Sequence, residues 1–264
     1  MAFAELKARQ SIIWGSGPYE PITELTRGVH DALLGTLEPR AGQRWLDVAT
    51  GTGAVALRAA AAGAEVTGID LAPALIEKAR TKAAWQGLAV RFEVGDAEEL
   101  PFPTASFDVV CSAIGTQFAP DHAAVARELA RVCRQRGRLG LACWVPDSVV
   151  ARMFAVMRPF APPPPPGAGN AFDWGRPEYL SEQLGETFEL HYDERVLPVV
   201  ADSGQAMWEL FVDAYGPTRT LAASLEPERR EELRRAWVEL FERDRSGGAI
   251  RQAWRYLLVR GIRR

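Results

Sequence analysis

Histidine and cysteine are scarce in this sequence, with three of each among 264 residues. The cysteines, Cys111, Cys133 and Cys143, are odd in number, have no CxxC spacing and lie in apolar segments. Scattered thiols of this kind argue against a disulfide framework and the common zinc-binding spacings, and they indicate reduced, buried cysteines. There is also no DxD sequence or mixed carboxylate and histidine cluster, so we expect no metal cofactor.

Long apolar runs and an excess of positive charge are missing too. No apolar stretch approaches the roughly 20 residues that span a bilayer, and the first residues, MAFAELKARQ, contain no apolar signal segment. With 31 basic and 34 acidic residues, the net charge of −3 does not favour nucleic acid or a membrane as a partner. We therefore expect a cytoplasmic protein, monomeric or homodimeric, that acts on a small molecule.

What the sequence does contain is an alternation of strand-like and helix-like segments. Strands are predicted at 44–49, 65–70, 89–94, 107–114, 137–145, 188–200 and 249–263. Helices are predicted at 22–37, 54–63, 72–86, 122–135, 205–215 and 227–244. Strands that alternate with helices of this length form parallel βαβ units. The sequence therefore predicts an α/β fold with three layers around a doubly wound sheet, which binds ligands at the carboxyl ends of its strands.

The stretch WLDVATGTGAVALRAA, residues 45–60, carries the first binding signal. Gly51 and Gly53 stand where a strand turns into a helix, and glycine lets a ligand approach the unpaired N–H groups at a helix start. Because Asp70 ends the next strand, the pattern GxGxxA also fits NAD binding. Asp47 argues against NAD, because a buried carboxylate is unfavourable next to the negative charge of a pyrophosphate. A ligand that carries an ammonium and a sulfonium would be favourable beside the same carboxylate.

Two later stretches extend this pattern. In GDAEELPFPTASFDVV, residues 95–110, Asp96 and the N–H of Ala97 fall where they can recognise the amino edge of an adenine. In RELARVCRQRGRLGLACW, residues 127–144, a helix passes through a basic turn into the fifth strand. Together with WLDVATGTG and GIDLAP, these stretches resemble the ordered motifs of class I S-adenosylmethionine-dependent methyltransferases. The branch is that of small-molecule and quinone-biosynthesis enzymes, methyltransferase type 11, and the resemblance covers residues 20–145.

This resemblance implies S-adenosylmethionine as cofactor and a Rossmann-like, seven-stranded sheet whose antiparallel last strand inserts between the fifth and sixth strands. Asp47 and the backbone from Ala49 to Gly53 would surround the methionine end of the cofactor. Asp70 would bind the ribose hydroxyls, and Asp96 would bind the adenine amino group. The complete implied set is Asp47, Ala49, Thr50, Gly51, Gly53, Asp70, Leu71, Asp96, Ala97 and Ser112. Ala49 departs from the family, which usually has glycine there, and Gln135-Arg136-Gly137 replaces the usual Pro-Gly-Gly.

Four regions follow from the pattern. Residues 1–40 are predicted to form a helical lid segment, in which Trp14 and Tyr19 either cover the cofactor or anchor the chain to the core. Residues 41–146 are predicted to form the Rossmann-like core. Residues 147–187, with the proline run APPPPPGAGN, are predicted to be a cap or a simple surface insertion. Residues 188–264 are predicted to complete the sheet and the substrate pocket.

Methyl transfer from a sulfonium is an in-line displacement, so positioning the acceptor in a dry site supplies most of the acceleration. A base is needed only for an acceptor that is a poor nucleophile. His122 follows the fourth strand and is the candidate general base, with a purely structural role as the alternative. His30 and His191 are expected to be structural or exposed.

Apolar residues beside the site predict the kind of acceptor. The candidates for its pocket, with ordinary core packing as the alternative, are Phe118, Trp144, Met153, Phe154, Met157, Phe160, Phe172 and Trp174. SAIG stands after the fourth strand in place of an NPPY-like sequence, which disfavours amide and nucleobase methylation. The predicted function is methyl transfer to oxygen, carbon or nitrogen of a small, apolar or aromatic molecule. The alternatives are an NAD-dependent oxidoreductase, or a cofactor-binding protein of this fold that senses or performs another reaction.

Overall fold

A mixed sheet of eight strands forms the centre of the computed structural model, which describes residues 3–264. The strands are β1 (Arg44–Val48), β2 (Glu65–Asp70), β3 (Val90–Val94), β4 (Phe107–Ala113), β5 (Cys133–Trp144), β6 (Phe188–Ala201), β7 (Arg245–Ser246) and β8 (Ala249–Arg263). The helices are α1 (Ala4–Trp14), α2 (Glu20–Leu25), α3 (Arg27–Leu37), α4 (Ala54–Ala61), α5 (Pro73–Gln86), α6 (His122–Val132), α7 (Val149–Met157), α8 (Pro177–Leu184), α9 (Gly204–Ala214), α10 (Gly216–Ser224) and α11 (Pro227–Glu242).

The strand order is β3-β2-β1-β4-β5-β8-β6, and the two-residue β7 pairs with β8. Strands β1 to β5 pair in parallel, whereas β8 is antiparallel to both β5 and β6. The chain leaves β1 toward β2 on one side and returns to β4 on the other, which opens a crevice at the carboxyl ends of these strands. This confirms the predicted α/β sheet with its antiparallel last strand inserted between two others.

Alternating side chains on the strands build two hydrophobic cores, one on each face of the sheet. Trp45 of β1 belongs to the core under α3, α4, α5, α7 and α9 to α11, and its neighbour Leu46 belongs to the core under α6 and α8. Successive residues of a strand point to opposite faces, so both side chains are completely buried. The result is the predicted arrangement of three layers.

Two of the predicted helices differ most from the structure. The helix predicted at 22–37 is broken at Thr26 into α2 and α3, and the Thr26 hydroxyl donates to the Ile22 carbonyl at 2.9 Å. The helix predicted to reach residue 135 ends at Val132, because Cys133 already pairs with Phe107 of β4. Pairing between strands that are distant in sequence overrides a local helical pattern at this point.

The segment after β5 splits between the two faces of the sheet. Helix α7 packs on the face that carries α11, whereas Trp174 and α8 pack in the opposite core with α6. The proline run between them is largely exposed. Among residues 3–264, no helix combines the length and the apolar character needed to cross a membrane.

Candidate active site

A large cavity lies at the carboxyl ends of β1, β2, β3 and β4. It contains about 1380 Å³ of empty space, part of it open to solvent. Asp47, Asp70 and Asp96, which follow or end three adjacent strands, all border it. The fold therefore brings the three predicted carboxylates together around one space.

The loop from Ala49 to Gly53 forms the floor between β1 and α4. Ala49, Gly51 and Gly53 have φ angles of 56°, 58° and 84°, and the Thr50 N–H donates to the Ile69 carbonyl at 3.0 Å. A Cβ atom added at Gly51 would meet no protein atom within 4 Å. Since Gly51 borders the cavity, its bare backbone is open to a ligand. Ala49 stands at a position where the family usually has glycine. Its left-handed backbone conformation costs roughly 1–2 kcal/mol.

Asp47 is buried at the end of β1, with 2% of the residue exposed. Its Oδ2 accepts hydrogen bonds from the Thr50 hydroxyl at 2.7 Å and the Ala56 N–H at 3.1 Å, and Cys111 Sγ lies 3.7 Å from Oδ1. Burial raises the pKa of Asp47 to about 7, although these hydrogen bonds oppose the shift. A cation bound beside this carboxylate would favour its ionised form.

Asp70 holds the glycine loop and the start of α5 at the same time. Its Oδ2 accepts from the Gly51 N–H at 2.8 Å, and its Oδ1 accepts from the Ala72 N–H at 2.9 Å. Burial raises the pKa of Asp70, whereas the hydrogen bonds from Ala72, Gly51 and Leu71 lower it. A carboxylate offers about four acceptor positions, so acceptor capacity remains for the hydroxyls of a ligand. Leu71 borders the cavity next to it.

Asp96, which follows β3, forms an ion pair with Lys7 of helix α1. Lys7 Nζ lies 2.6 Å from Asp96 Oδ2 and 2.7 Å from Glu98 Oε2, and the other Asp96 oxygen accepts from the Glu98 N–H at 2.9 Å. Lys7 and Ala97 both border the cavity. Lys7 was absent from the sequence prediction because no local pattern links it to a carboxylate 89 positions along the chain.

Gly53 and Ser112 do not border the cavity. Gly53 precedes α4, and a Cβ atom there would lie 3.0 Å from the Phe92 ring. Ser112 is 1% exposed, and its hydroxyl accepts from the Thr116 N–H at 3.2 Å. The geometry thus gives both residues a structural role, and Ala113 and Ile114 border the cavity instead.

His122 is also placed away from the cavity, so the geometry does not support its predicted role as general base. It is 3% exposed, with Nδ1 2.9 Å from the Tyr179 hydroxyl and Nε2 3.2 Å from the Gln117 carbonyl oxygen. The Trp174 ring packs against it at 5.5 Å, and burial lowers the pKa of His122. With both nitrogens engaged, this imidazole ties α6 to α8 and is not available to a ligand.

A second wall of the cavity is formed mainly by aromatic side chains, and we call it the aromatic wall. Its members are Trp14, Tyr19, Phe118, Trp144, Phe211, Tyr215 and Trp254, with Ile22, Val150 and Met153 between them. The rings touch one another, since the Trp14 centroid lies 4.9 Å from that of Phe118 and 5.7 Å from that of Tyr215. Among the predicted acceptor-pocket residues, only Phe118, Trp144 and Met153 border the cavity. Phe154, Met157, Phe160, Phe172 and Trp174 do not.

His30 of α3 borders the same cavity. It is 8% exposed, and no hydrogen bond to its imidazole occurs among residues 3–264. Burial, together with the charge of Arg58, lowers the pKa of His30 to about 4. It is therefore a neutral ring with free nitrogen atoms at neutral pH. His191, in contrast, is exposed on β6 beside Glu189, as expected.

Lys7, the glycine loop and the carboxylates of Asp47, Asp70 and Asp96 form what we call the strand-end wall of the cavity, and their chemistry matches that of S-adenosylmethionine. Asp47 can face an ammonium or a sulfonium, Asp70 the ribose hydroxyls, and Asp96 with Ala97 the adenine edge. The same wall suits NAD poorly, because Lys7 is its one cationic side chain among residues 3–264 and is already paired with two carboxylates. A pyrophosphate would thus meet carboxylates without a free cation.

Comparison with known proteins gives the same family. A family model described as "Methyltransferase domain" matches residues 46–141. An uncharacterized protein of Mycobacterium tuberculosis is 36% identical, over 98% of this chain and 96% of its own length. The 27-O-demethylrifamycin SV methyltransferase of Amycolatopsis mediterranei is 38% identical, over 53% of this chain and 54% of its own length.

Solved structures agree on the fold. The YcgJ protein of Bacillus subtilis superposes with a TM-score of 0.62 at 24% identity, covering 90% of this chain and 99% of its own. At that level of identity the likeness concerns the fold alone. Together with the relatives above, it supports the α/β, Rossmann-like assignment made from the sequence.

Proposed function

The chain belongs to the class I S-adenosylmethionine-dependent methyltransferases, and from this premise we propose that it methylates a small apolar or aromatic acceptor. The observation that carries the proposal is one cavity with two chemically different walls. Three carboxylates and the glycine loop suit the cofactor, and the aromatic wall suits an apolar partner.

In this proposal S-adenosylmethionine supplies an electrophilic methyl group, and the protein supplies position and dryness. Asp47 faces the positively charged methionine end, Asp70 holds the ribose, and Asp96 with Ala97 holds the adenine. The aromatic wall orients the acceptor and keeps water away from it. Gly51 and Thr50 leave room for the cofactor along the loop, and Leu71 packs beside its base.

Helix α1 is the lid of this proposed site. Lys7, Gln10 and Trp14 of this helix border the cavity, and the Ser11 hydroxyl donates to the Leu71 carbonyl at 2.9 Å. Gln10 is fixed in turn, because its side-chain N–H donates to the Phe118 carbonyl at 3.0 Å. The helix is thereby tied to the cofactor side and to the aromatic wall, and we propose that these contacts open when the cofactor enters.

Parallel calorimetric titrations with S-adenosylmethionine, S-adenosylhomocysteine and NADH test the cofactor. We expect micromolar binding of the two sulfur compounds and none of NADH. Asp70→Ala should weaken S-adenosylhomocysteine binding by about 1.5–3 kcal/mol, because hydrogen bonds to a charged group are lost. Asp193→Ala, which removes an exposed carboxylate on β6, is the matched control and should bind normally. Binding of NADH alone, or unchanged affinity in a folded Asp70→Ala protein, would contradict the assignment.

Methyl transfer itself is tested by turnover. Incubation with S-adenosylmethionine and a panel of apolar acceptors should release S-adenosylhomocysteine in proportion to a product that is heavier by one methylene. Product without S-adenosylhomocysteine release would instead support a reaction other than methylation on the same cofactor site.

A further inference from the structure

The charged side chains that border the cavity are few and belong to the strand ends and to helix α1. Among residues 3–264 they are Lys7, Asp47, Asp70 and Asp96. Lys7 is neutralised by its pairs with Asp96 and Glu98. The aromatic wall contributes rings and aliphatic groups without a formal charge. A charged acceptor would lose its hydration there without gaining an ionic partner, which is strongly unfavourable.

Polar atoms next to the aromatic wall are few, and only one group among them can take up a proton. Burial raises the pKa of the Tyr19 and Tyr215 hydroxyls, so both stay protonated and can only exchange hydrogen bonds. The Thr26 hydroxyl already donates to the Ile22 carbonyl of its own helix. His30 is the one neutral nitrogen base that borders the cavity, and its imidazole has no hydrogen-bond partner among residues 3–264. His30 borders the cavity and its imidazole is bonded to no other side chain, so a ligand in the cavity can form a hydrogen bond with it.

Building on the proposed methyl transfer, we propose that the acceptor is an uncharged aromatic molecule with a hydroxyl group and that His30 receives the hydroxyl proton. The aromatic wall would hold the ring system by stacking and edge contacts. The free nitrogen of His30 would accept a hydrogen bond from the hydroxyl. This assigns oxygen as the reacting atom and gives a catalytic role to a histidine that the sequence pattern did not single out.

The step balances without a further reactant. The hydroxyl oxygen forms a bond to the methyl carbon, and the bond from that carbon to sulfur breaks with its electron pair remaining on sulfur. The hydroxyl proton moves to the imidazole of His30, which becomes an imidazolium and later releases the proton to water. Because burial disfavours the imidazolium, His30 is a weak base, which fits an acidic hydroxyl such as a phenol better than an aliphatic alcohol.

Three naphthalene derivatives of similar shape test the acceptor class. 2-Naphthol is neutral, 2-naphthoate is an anion, and 2-naphthylmethylammonium is a cation. Each is titrated into protein that has been saturated with S-adenosylhomocysteine, so the cofactor site is verified first and its failure is seen separately. We expect 2-naphthol to bind with a Kd on the order of 0.1 mM, since a ligand of this size has limited contact area. The charged analogues should bind at least tenfold more weakly. Absent 2-naphthol binding, or equal binding of a charged analogue, would overturn the proposal.

A pair of variants tests the role of His30. His30→Phe keeps a flat ring but cannot accept a proton, and His191→Gln changes an exposed histidine on β6 as the control. In His30→Phe we expect about tenfold weaker binding of 2-naphthol but unchanged binding of 2-methoxynaphthalene, which has no proton to donate. Its Kd for S-adenosylhomocysteine should stay within twofold of the original value, which also shows that the variant is folded.

Formation of 2-methoxynaphthalene from 2-naphthol gives a further readout. Loss of a general base typically lowers the rate about 10²–10⁴-fold, so the kcat of His30→Phe should fall at least a hundredfold if the original protein turns over this probe. A large loss of S-adenosylhomocysteine affinity in His30→Phe would instead place His30 on the cofactor and overturn its role toward the acceptor. Equal losses for 2-naphthol and 2-methoxynaphthalene would do the same, because they would indicate a packing role.

Discussion

The buried carboxylate of Asp47 should make cofactor binding depend on pH. S-Adenosylhomocysteine keeps its ammonium charged between pH 6 and pH 8, so it is the suitable probe. With a pKa of about 7, Asp47 is about one-eleventh ionised at pH 6 and about ten-elevenths ionised at pH 8. If only the ionised form binds the ammonium well, the affinity at pH 6 is about tenfold lower than at pH 8, or about 1.4 kcal/mol.

The sign follows from the two protonation states. A bound cation favours the carboxylate and lowers the pKa of Asp47 in the complex, so binding near neutral pH releases a proton. The affinity for S-adenosylhomocysteine is therefore highest above the pKa of Asp47 in the ligand-free protein, and it declines as the pH falls through that pKa. Calorimetry in two buffers with different ionisation enthalpies measures the released proton directly, alongside the Kd.

Asp47→Asn is the matched variant, because an amide oxygen can still accept from the Thr50 hydroxyl and the Ala56 N–H. We expect weaker binding at pH 8 and a nearly flat profile from pH 6 to pH 8. Asp70 is unchanged in both proteins, so its own titration is common to the two profiles. A tenfold dependence that persists in Asp47→Asn, or no proton release by the original protein, would refute the reasoning.

Three further outcomes are expected. Without ligand, Asp47→Asn should be more stable than the original protein at pH 8, by up to about 4 kcal/mol in the free energy of urea unfolding. This difference should vanish as the pH falls toward 4, because the raised pKa of Asp47 destabilises the folded state only when the carboxylate must ionise. His122→Phe should lower the free energy of unfolding by about 1–3 kcal/mol through its lost bond to Tyr179, with S-adenosylhomocysteine affinity unchanged. Lys7→Met should raise the dissociation rate of S-adenosylhomocysteine about tenfold in stopped-flow displacement, because helix α1 loses its ion pair with Asp96. An unchanged dissociation rate would show that α1 does not control the exit of the ligand.

The sheet and its cofactor side were predictable because their signals are local. A strand, a glycine turn and a carboxylate at the next strand end occur within about 25 residues, and parallel pairing then fixes where they meet. Asp47, Gly51, Asp70 and Asp96 accordingly border one cavity, as the order of the motifs implied.

The rest of the site depends on contacts between distant parts of the chain. Phe211, Tyr215 and Trp254 reach the cavity from the C-terminal half, and their apolar spacing is the same as that of ordinary core residues. The two histidines show the same limit. His122 follows a strand end yet turns into the core beside Tyr179, whereas His30 sits on a helix whose packing alone turns it toward the cavity.

The position of β8 between β5 and β6 also governs the order in which the protein can assemble. β6 is made before α9, α10 and α11, yet its only partner in the described sheet is β8, the last of these elements to leave the ribosome. Strand β6 must therefore wait, with its hydrogen-bonding edge unpaired, until nearly the whole described chain has been synthesised. Closure of such distant pairs slows folding, and an unpaired edge invites association with other chains. Trp254 of β8 is part of the aromatic wall, so this side of the cavity is completed in the same late step.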